Sequence, residues 1–270
     1  MPGQPTPVVE MRNIKKRFGN IQALAGVHLD LRENEIHGLV GDNGSGKSTL
    51  VKVLVGLHKP NDGEIRIRGD RVHIDNPKEA REYGISTVYQ DLALAPDLTV
   101  AENIYLGRYP KKRVGPIPVV DYGKMKETAS EVLRERLNID IDPTSEVENL
   151  SGGERQAVAI ARALIVDPEI IIMDEPMSSL SADSVKRVKQ LVKNLRDEGV
   201  TVLLISHNLQ EVFDLTNTLT ILDNGHYVGR VQTDSITEDD VVRMMVGGKV
   251  PEEIEDQVDT TPTFSSVAGD

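Results

Sequence analysis

The sequence has no cysteine and no tryptophan, and aromatic residues of all kinds make up only 3% of its 270 residues. Without cysteine the chain can form no disulfide and offers no thiolate ligand to a metal. Its hydrophobic content of 39% is still enough to build the core of one large domain or two modest ones. We therefore expect a globular protein, and the lack of cysteine is compatible with the cytosol.

Long hydrophobic runs are also missing. The longest, "VTVLLI" and "EIIIM", are far shorter than the roughly 18 residues that a membrane-spanning helix requires. The first residues, "MPGQPTPVVEM", contain neither a basic stretch nor an apolar signal core. The sequence therefore predicts no transmembrane segment and a chain that stays in the cytoplasm.

Basic residues are outnumbered by acidic ones, and the net charge is -12. This balance argues against nucleic acid as a partner, because binding to phosphate backbones normally uses a basic surface. Six of the acidic residues fall in the last segment, 251–270, which has no basic residue. Its composition predicts a solvated, disordered tail, with a peptide that binds a partner as the alternative.

From about residue 35, short apolar strands alternate with helical stretches, which is typical of a mostly parallel sheet covered by helices. Three alternating stretches, "VVEMRNI", "GVHLDLREN" and "EIRIRG", predict an antiparallel patch beside this core. Residues 99–138 contain two helical patterns and no strand pattern, which predicts an inserted helical subdomain extending to about residue 165. Between these two helices, "RYPKKRVGPIP" predicts a surface loop.

A phosphate-binding loop follows the apolar strand "EIHGLV" and opens the helix "KSTLVKVLVG". Its sequence, "GDNGSGKST", fits the pattern G-x-x-x-x-G-K-[ST] in the required context of strand, loop and helix. We expect Lys47 to reach the β and γ phosphates and Ser48 to bind Mg²⁺. The candidate phosphate-binding residues are Gly41, Asn43, Gly44, Ser45, Gly46, Lys47, Ser48 and Thr49.

Two carboxylates follow a second buried strand in "IIIMDEP". Ligands of open α/β sheets bind at the carboxyl ends of strands, so Asp174 and Glu175 are candidates for a site with Lys47. We expect Asp174 to hold the hydrated Mg²⁺ and Glu175 to act as the general base that activates water. Without Lys47, the pair would be read as an ordinary acidic turn.

A second helix start, "NLSGGERQA", has small residues like those of the phosphate loop. Ser151 and Glu154 fit a capping box, which is a purely structural explanation. That explanation leaves out Gly152 and Gly153, because each glycine costs a helix up to about 1 kcal/mol relative to alanine. A phosphate that approaches the backbone closely would account for both glycines.

The motifs "GDNGSGKST", "LSGGERQ" and "IIIMDEP", in this order, resemble the Walker A, signature and Walker B motifs of ATP-binding cassette (ABC) ATPases. The similarity extends from about Val8 to Gly247. It implies an α/β P-loop NTPase fold of the ABC type, with a mostly parallel core sheet, an antiparallel subdomain and an inserted helical subdomain, in one domain over residues 1–250. It also implies ATP and Mg²⁺ as ligands, and a head-to-tail dimer in which Ser151, Gly152 and Gly153 contact the nucleotide of the other subunit.

The same resemblance implies further site residues. Phe18 in "KKRFGNIQAL" would stack on adenine, with a place in the core of a hairpin as the alternative. Gln90 in "ISTVYQD" would lie beside the Mg²⁺ and the membrane partner, and His207 in "VLLISHN" would contact the γ-phosphate. One stretch departs from the family pattern, since "MSSLSAD" has Met177 and Ser181 where Thr and Asp are frequent. This departure bears on how two sites are coupled more than on ATP binding.

Outside the core motifs, "TVYQDLALAPDLTVAENIYLGR" and "LISHNLQEVFDLTNTLTILDNGHYVG" are similar to the ATPase subunits of bacterial monosaccharide importers. The resemblance implies a second ATPase subunit, a separate integral membrane permease, an extracytoplasmic sugar-binding protein, and a place at the cytoplasmic face of the membrane. Importers of other solutes and exporters stay open as alternatives. A DNA-repair ATPase would separate Lys47 from Ser151 by a long coiled coil, which this sequence lacks, and a non-hydrolysing nucleotide sensor would not need Glu175 and His207.

Overall fold

A computed structural model describes residues 7–260 of the chain. Within this part the strands form a seven-stranded sheet, a four-stranded sheet and a two-stranded hairpin. The strands are β1 (Val9–Phe18), β2 (Ile21–Leu31), β3 (Ile36–Gly41), β4 (Asp62–Ile67), β5 (Asp70–Val72), β6 (Ile85–Val88), β7 (Lys111–Val114), β8 (Ile117–Val120), β9 (Ile170–Asp174), β10 (Thr201–Ile205), β11 (Thr218–Asp223), β12 (His226–Gln232) and β13 (Val258–Asp259). The α-helices are α1 (Lys47–Leu54), α2 (Pro77–Glu82), α3 (Val100–Ile104), α4 (Tyr122–Glu131), α5 (Gly152–Leu164), α6 (Ala182–Asp197), α7 (Leu209–Leu215) and α8 (Glu238–Gly247).

The seven-stranded sheet has the order β13-β12-β11-β3-β10-β9-β6. Neighbouring strands from β11 to β6 are parallel, and β12 and β13 add an antiparallel edge. Strands β3 and β10 are buried along their whole length, as expected where helices cover both faces of a parallel sheet. The parallel order puts the carboxyl ends of β3, β6, β9 and β10 at one edge, which is where the candidate site lies.

The expected antiparallel patch is the four-stranded sheet, with the order β2-β1-β4-β5. It packs on α1 and on one face of the large sheet through a shared apolar cluster that includes Ile14, Leu24 and Leu50. These three side chains are fully buried. The fold class predicted from the sequence is thus confirmed.

The helical region differs from the prediction in one respect. The segment expected to be a loop forms the hairpin β7–β8, in which Val114 pairs with Ile117 around a turn where Gly115 has φ 64°. A turn of this kind favours glycine because L side chains rarely adopt positive φ. The hairpin escaped the sequence analysis because its strands are mostly exposed and so lack a buried apolar face.

The helices beside the hairpin share one apolar cluster with the large sheet. Met125 of α4 and Ile160 of α5 belong to the same cluster as Ile171 and Met173 of β9. Helix α4 continues into a π-helical turn, Val132–Arg136. The subdomain boundaries at about 99 and 165 stay a prediction.

The acidic segment from residue 251 also differs from the prediction over its described part. A 3-10 helix, Glu252–Gln257, leads into β13, which pairs with β12 at the edge of the large sheet. Ile254 and Val258 are buried, and Gly229 makes room for Val258, since a Cβ at residue 229 would collide with its Cγ1. The burial of these two apolar side chains gives the segment an ordered structure in spite of its acidic composition. The rest of the predicted tail, residues 261–270, lies outside the described residues.

In residues 7–260, no helix combines the length and the apolar character needed to cross a membrane.

Candidate nucleotide-binding and catalytic site

The predicted phosphate loop lies between the end of β3 and the start of α1. Gly46 precedes the helix with φ 103°, and a Cβ there would lie 2.8 Å from Leu24 Cδ2 and 2.9 Å from Ala23 O. Only glycine fits this backbone without strain. No side chain caps the N-terminus of α1, so its first N–H groups have no capping partner. Free N–H groups at a helix start form a site for an anion such as phosphate.

Lys47 is held within the loop. Its Nζ donates hydrogen bonds to Gly41 O at 2.7 Å and to Asp42 O at 3.0 Å, and the residue is buried. Burial lowers the pKa of Lys47, and the nearby carboxylates of Glu175, Asp42 and Asp174 only partly oppose this shift. The carboxylates and the backbone oxygens around Nζ favour its charged form. It can therefore bind the negative charge of a phosphate group.

The two predicted carboxylates emerge where β9 ends. Burial raises the pKa of Asp174, the charge of Glu175 raises it further, and Lys47 and Lys52 oppose both. Glu175 has φ 51°, a conformation that costs a non-glycine residue energy and occurs preferentially at functional sites. Its backbone N–H donates to Ile205 O at 2.9 Å, which fixes its position beside β10.

His207 lies directly beside the candidate base. Its Nδ1 is 2.7 Å from Glu175 Oε2, and the histidine side chain is 69% exposed while that of Glu175 is 13% exposed. The carboxylate is therefore sheltered, and the imidazole beside it is open to solvent. Such a pair can orient a water molecule and share its proton.

The strand end that carries His207 is braced by residues that the sequence analysis missed. Ser206 Oγ donates to Glu211 Oε2 at 3.1 Å and accepts from the N–H of Asn208 at 3.1 Å. Asn208 in turn caps α7. The cap pattern "NLQE" could have indicated the start of α7, but not the contact with Ser206.

A cleft of about 560 Å³ brings these groups together. From the sequence prediction it contains Gly41, Asn43, Gly44, Ser45, Gly46, Lys47, Ser48, Thr49, Gln90, Asp174, Glu175 and His207. It also contains Ala23, Asp42, Ile205 and Met245, which were not predicted. Met245 comes from α8, nearly two hundred residues after the phosphate loop, so no local motif could have placed it here.

Phe18 is not among the residues that line this cleft. It ends β1, is 42% exposed, and meets the ring of His58 edge-on with 5.0 Å between ring centroids. Lys16 Nζ lies 5.1 Å from its ring centroid. Its exposure does not fit the alternative of a hairpin core residue, and the stacking of adenine on Phe18 stays a prediction.

The second small-residue helix start, Ser151 with Gly152 and Gly153, is also absent from the lining of the cleft. Ser151 caps α5 in a complete capping box with Glu154. A Cβ at Gly153 would lie 2.7 Å from Ser184 Oγ and 2.9 Å from Ser184 Cβ, whereas a Cβ at Gly152 would meet only Leu180 Cδ2, at 3.3 Å. The close packing of α5 against α6 thus explains why residue 153 is a glycine, which could not be predicted from the sequence.

The two residues that depart from the family pattern both have structural roles. Met177 is buried in the apolar cluster that joins the helices to the sheet. Ser181 caps α6 by accepting a hydrogen bond from the N–H of Ser184. An aspartate could cap the helix in the same way, so the serine preserves the helix start and removes a charge.

The residues predicted to hold Mg²⁺ fit that ion chemically. Ser48, Gln90 and Asp174 line the same cleft and offer hydroxyl, amide and carboxylate oxygens, which are hard ligands that suit Mg²⁺. A single carboxylate is typical of Mg²⁺ sites in which phosphates and water complete the shell. The raised pKa of Asp174 also marks a carboxylate that a cation would stabilise.

Comparison with known proteins identifies the family. The model of the family described as "ABC transporter" matches residues 24–178. The chain belongs to the ABC transporter family. Among curated ABC proteins, it is 47% identical over 247 residues to "Ribose import ATP-binding protein RbsA 1" of Rubrobacter xylanophilus, which covers 92% of this chain and 48% of that protein. It is 43% identical over 242 residues to "Ribose import ATP-binding protein RbsA 3" of Rhizobium meliloti, covering 90% and 46%. The chain thus spans about half the length of the curated relatives it matches.

Solved ABC structures agree with this fold. The ADP conformation of MJ1267, an ATP-binding cassette of an ABC transporter, aligns with a TM-score of 0.76 and 26% identity, covering 89% of this chain and 95% of that one. A dimeric post-hydrolysis state of the cassette MJ0796, bound to ADP and Pi, aligns with a TM-score of 0.69 and 29% identity, covering 83% and 98%.

Proposed function

We propose that this chain is the ATP-hydrolysing subunit of an ABC importer. The observation that carries the proposal is the arrangement of Lys47, Asp174, Glu175 and His207 around one cleft, with His207 2.7 Å from the sheltered carboxylate of Glu175. A phosphate loop alone would bind nucleotide. Hydrolysis also requires a base beside that loop, and Glu175 with His207 can fill this role.

In this reaction Glu175 accepts the proton of the attacking water, and His207 orients both. Lys47 stabilises the charge that develops on the γ-phosphate. Ser48, Gln90 and Asp174 would hold Mg²⁺, which supplies neutralisation of phosphate charge when bound. Lys47 is buried and Glu175 partly so, which strengthens their electrostatic effect, since charges interact more strongly away from water.

The second phosphate-binding element would act between two subunits. Ser151, Gly152 and Gly153 do not line the cleft of their own chain, which supports a contact with a nucleotide that another subunit supplies. The dimeric MJ0796 cassette bound to ADP and Pi supports a second cassette, either a copy of this chain or a related one, as the partner. ATP would then close the dimer, and its hydrolysis would open it.

The proposed cargo is a monosaccharide such as ribose, xylose or fructose. The names of the relatives from Rubrobacter xylanophilus and Rhizobium meliloti, both ribose import ATP-binding proteins, support this class. A separate permease in the membrane would hold this chain at the cytoplasmic face, and an extracytoplasmic sugar-binding protein would deliver the sugar. Uptake of another small solute is the alternative, and it would leave the assignments in the cleft unchanged.

Replacing the candidate base tests the proposal. Glu175→Gln is expected to lower ATP turnover by about 10² to 10⁴ fold while ATP binding persists and ATP holds two subunits together. Glu169→Gln is the matched control, because Glu169 directly precedes the first residue of β9, away from the cleft, and is paired with Arg68 at the surface. Parental turnover in Glu175→Gln would refute the role of the base.

The cargo is tested on the complex of this chain with its permease. ATP turnover is measured with binding proteins loaded in turn with ribose, xylose, fructose or galactose. Stimulation by one of these supports monosaccharide import, and stimulation only by binding proteins for other solutes contradicts it.

A further inference from the structure

The hairpin β7–β8 has two large apolar side chains that are open to solvent at its tip. Val114 and Ile117 pair across the turn, and they are 59% and 62% exposed. Val119, two residues further along β8, lies on the same face of the ribbon, because side chains alternate along a strand. Val120, on the opposite face, packs against the apolar cluster of the helices and the large sheet. The apolar face of the tip is therefore directed away from that cluster.

The base of the hairpin is fixed to the rest of the molecule. The N–H of Asp121 donates to Pro110 O at 2.8 Å, and Tyr109 packs against the same apolar cluster as Val120. At the tip, by contrast, a Cβ at Gly115 would meet no atom within 4 Å beyond its chain neighbours. The hairpin thus holds its apolar tip out from the body of the protein in a defined position.

Positive charge is concentrated beside this tip. Between Glu102 and Asp121 the sequence has four basic residues and no acidic one, although the whole chain has a net charge of -12. Three of the four precede the tip on β7 and are exposed, namely Lys111, Lys112 and Arg113. Lys112 lies 3.2 Å from Asp121 at the base of the hairpin, so one carboxylate stands against three cations. The hairpin is a local cationic segment on an anionic protein.

The charges and the apolar tip have to be explained together. Lysine on an exposed strand can protect its edge from pairing with another chain. That role accounts for the cations of β7 but not for Val114 and Ile117, since exposed apolar side chains favour association. A surface that is both anionic and apolar just below its charged layer satisfies both features.

The hairpin β1–β2 provides an internal comparison. It also has basic residues near its turn and an exposed apolar residue there, Ile21, which is 71% exposed. Its cations are bound within the protein, however, since Lys15 Nζ lies 2.8 Å from Asp62 and Lys16 Nζ donates to Lys59 O at 2.6 Å. We therefore expect this hairpin to respond less to an anionic surface than β7–β8.

We propose that the hairpin β7–β8 binds the surface of an anionic lipid bilayer. The side chains of Lys111, Lys112 and Arg113 contact headgroup phosphates, and Val114 and Ile117 enter the boundary between headgroups and acyl chains. A projecting, convex tip suits a fluid surface, which needs no matching groove. The inference goes beyond the proposed function and rests on it only for the permease that brings the chain to the membrane.

The strength of the contact follows from the charges. Each basic side chain near an anionic surface strengthens binding by about fivefold, so three of them contribute about a hundredfold. Binding of this order is weak for a free protein in solution. It becomes effective when the permease already holds the chain beside the bilayer, because the second contact is then intramolecular.

The absence of tryptophan from the chain allows a direct test. Tryptophan is introduced at the tip by Ile117→Trp and, as the matched control, at the other hairpin by Ile21→Trp. The emission of each variant is followed while phosphatidylglycerol vesicles are added at low ionic strength. Ile117→Trp should show a saturable shift to shorter wavelength, because its indole leaves water, and Ile21→Trp should not. Phosphatidylcholine vesicles, or about 0.5 M salt, should remove most of the shift.

The role of the charges is measured with Ile117→Trp as the reporter. Adding Lys111→Gln, Lys112→Gln and Arg113→Gln should weaken vesicle binding by about a hundredfold. All three side chains are exposed, so this variant is expected to fold. The control makes the same change of net charge at three exposed lysines elsewhere, by Lys78→Gln, Lys186→Gln and Lys249→Gln, and it should bind as Ile117→Trp alone does.

Three results would overturn the proposal: no shift of Ile117→Trp with phosphatidylglycerol, an equal shift of Ile21→Trp, or equal weakening by the two sets of lysine and arginine variants. A shift with the permease in neutral detergent but none with vesicles would also overturn it, and would assign the tip to a protein partner. Vesicle binding is measured without ATP. It is therefore tested separately from ATP turnover, whose absence would refute the proposed function alone.

Discussion

The two glycines at the start of α5 are expected to respond in opposite ways to alanine. At Gly153 a Cβ would lie 2.9 Å from Ser184 Cβ, whereas at Gly152 its nearest neighbour is the terminal Leu180 Cδ2 at 3.3 Å. A leucine methyl group can move by a few tenths of an ångström, but the Cβ of Ser184 is fixed by the backbone of α6. The first contact therefore forces α5 and α6 apart, and the second does not.

The size of the effect follows from two opposing terms. Alanine in place of glycine stabilises a helix by up to about 1 kcal/mol, and overpacking costs about 1 to 3 kcal/mol. Gly153→Ala should thus lower the free energy of unfolding by about 1 kcal/mol, and Gly152→Ala should leave it equal or higher. Comparing the two variants cancels the helix term and leaves a difference of about 2 kcal/mol, or roughly 5 °C in Tm.

Thermal and denaturant unfolding of both variants measure this difference, and ATP turnover separates packing from phosphate binding. If a phosphate must approach the backbone, Gly152→Ala should lose turnover without losing stability. Ser184→Gly should partly restore the stability of Gly153→Ala, because it removes the atoms that collide. A Gly153→Ala variant at least as stable as Gly152→Ala would refute the packing argument.

Three other predictions concern single residues. Burial raises the pKa of Asp30 to about 6, so the folded state retains a proton that the unfolded state loses. The free energy of unfolding should therefore fall by up to ~3 kcal/mol as the pH rises from about 4 to 6. Asp30→Asn should remove this fall in denaturant unfolding, and an unchanged dependence on pH in the variant would contradict the prediction. Gly229→Ala should displace β13, because the added Cβ collides with Val258, and limited proteolysis near residue 258 should become faster. Adding Val258→Ala to this variant should restore protection. Equal cleavage of the parent and of Gly229→Ala would count against the contact. Asp174→Asn should raise the Mg²⁺ concentration needed for half-maximal ATP turnover by about tenfold or more, and an unchanged Mg²⁺ requirement would exclude Asp174 as a ligand.

Most of the residues predicted for the site line one cleft because their positions follow from the topology. Asp174 is the last residue of β9, His207 closely follows β10, and Lys47 begins the helix after the loop that follows β3. Parallel strands bring their carboxyl ends to one edge of the sheet. Each motif could therefore be placed from its own strand. Met245 reaches the same cleft from α8, where only tertiary packing decides its position.

The errors have a common physical origin. The strands involved are short and weakly patterned: β7 is wholly exposed, and β13 has only two residues. Neither offers the periodic pattern on which strand prediction depends. For β13 the decisive contact is between Val258 and Gly229, which are far apart in sequence. The amino-acid composition of a segment carries no information about such contacts. For this segment it therefore reflected only the acidic residues and predicted disorder.

The packing of α5 against α6 also connects the two halves of the proposed catalytic dimer. Glu175 lines the cleft of its own chain. The segment that follows it contains Leu180, which lies against Gly152, and Ser184, which lies against Gly153. The base for one ATP and the small-residue helix start for the other are thus joined by a short stretch of chain. A shift of α5 on leaving the partner's nucleotide would be transmitted to Glu175 through these contacts. Ser181 stands where a charged aspartate is frequent in the family and keeps the α6 cap. In the proposed dimer, the path between the two sites would therefore depend on packing rather than on the charge of an aspartate.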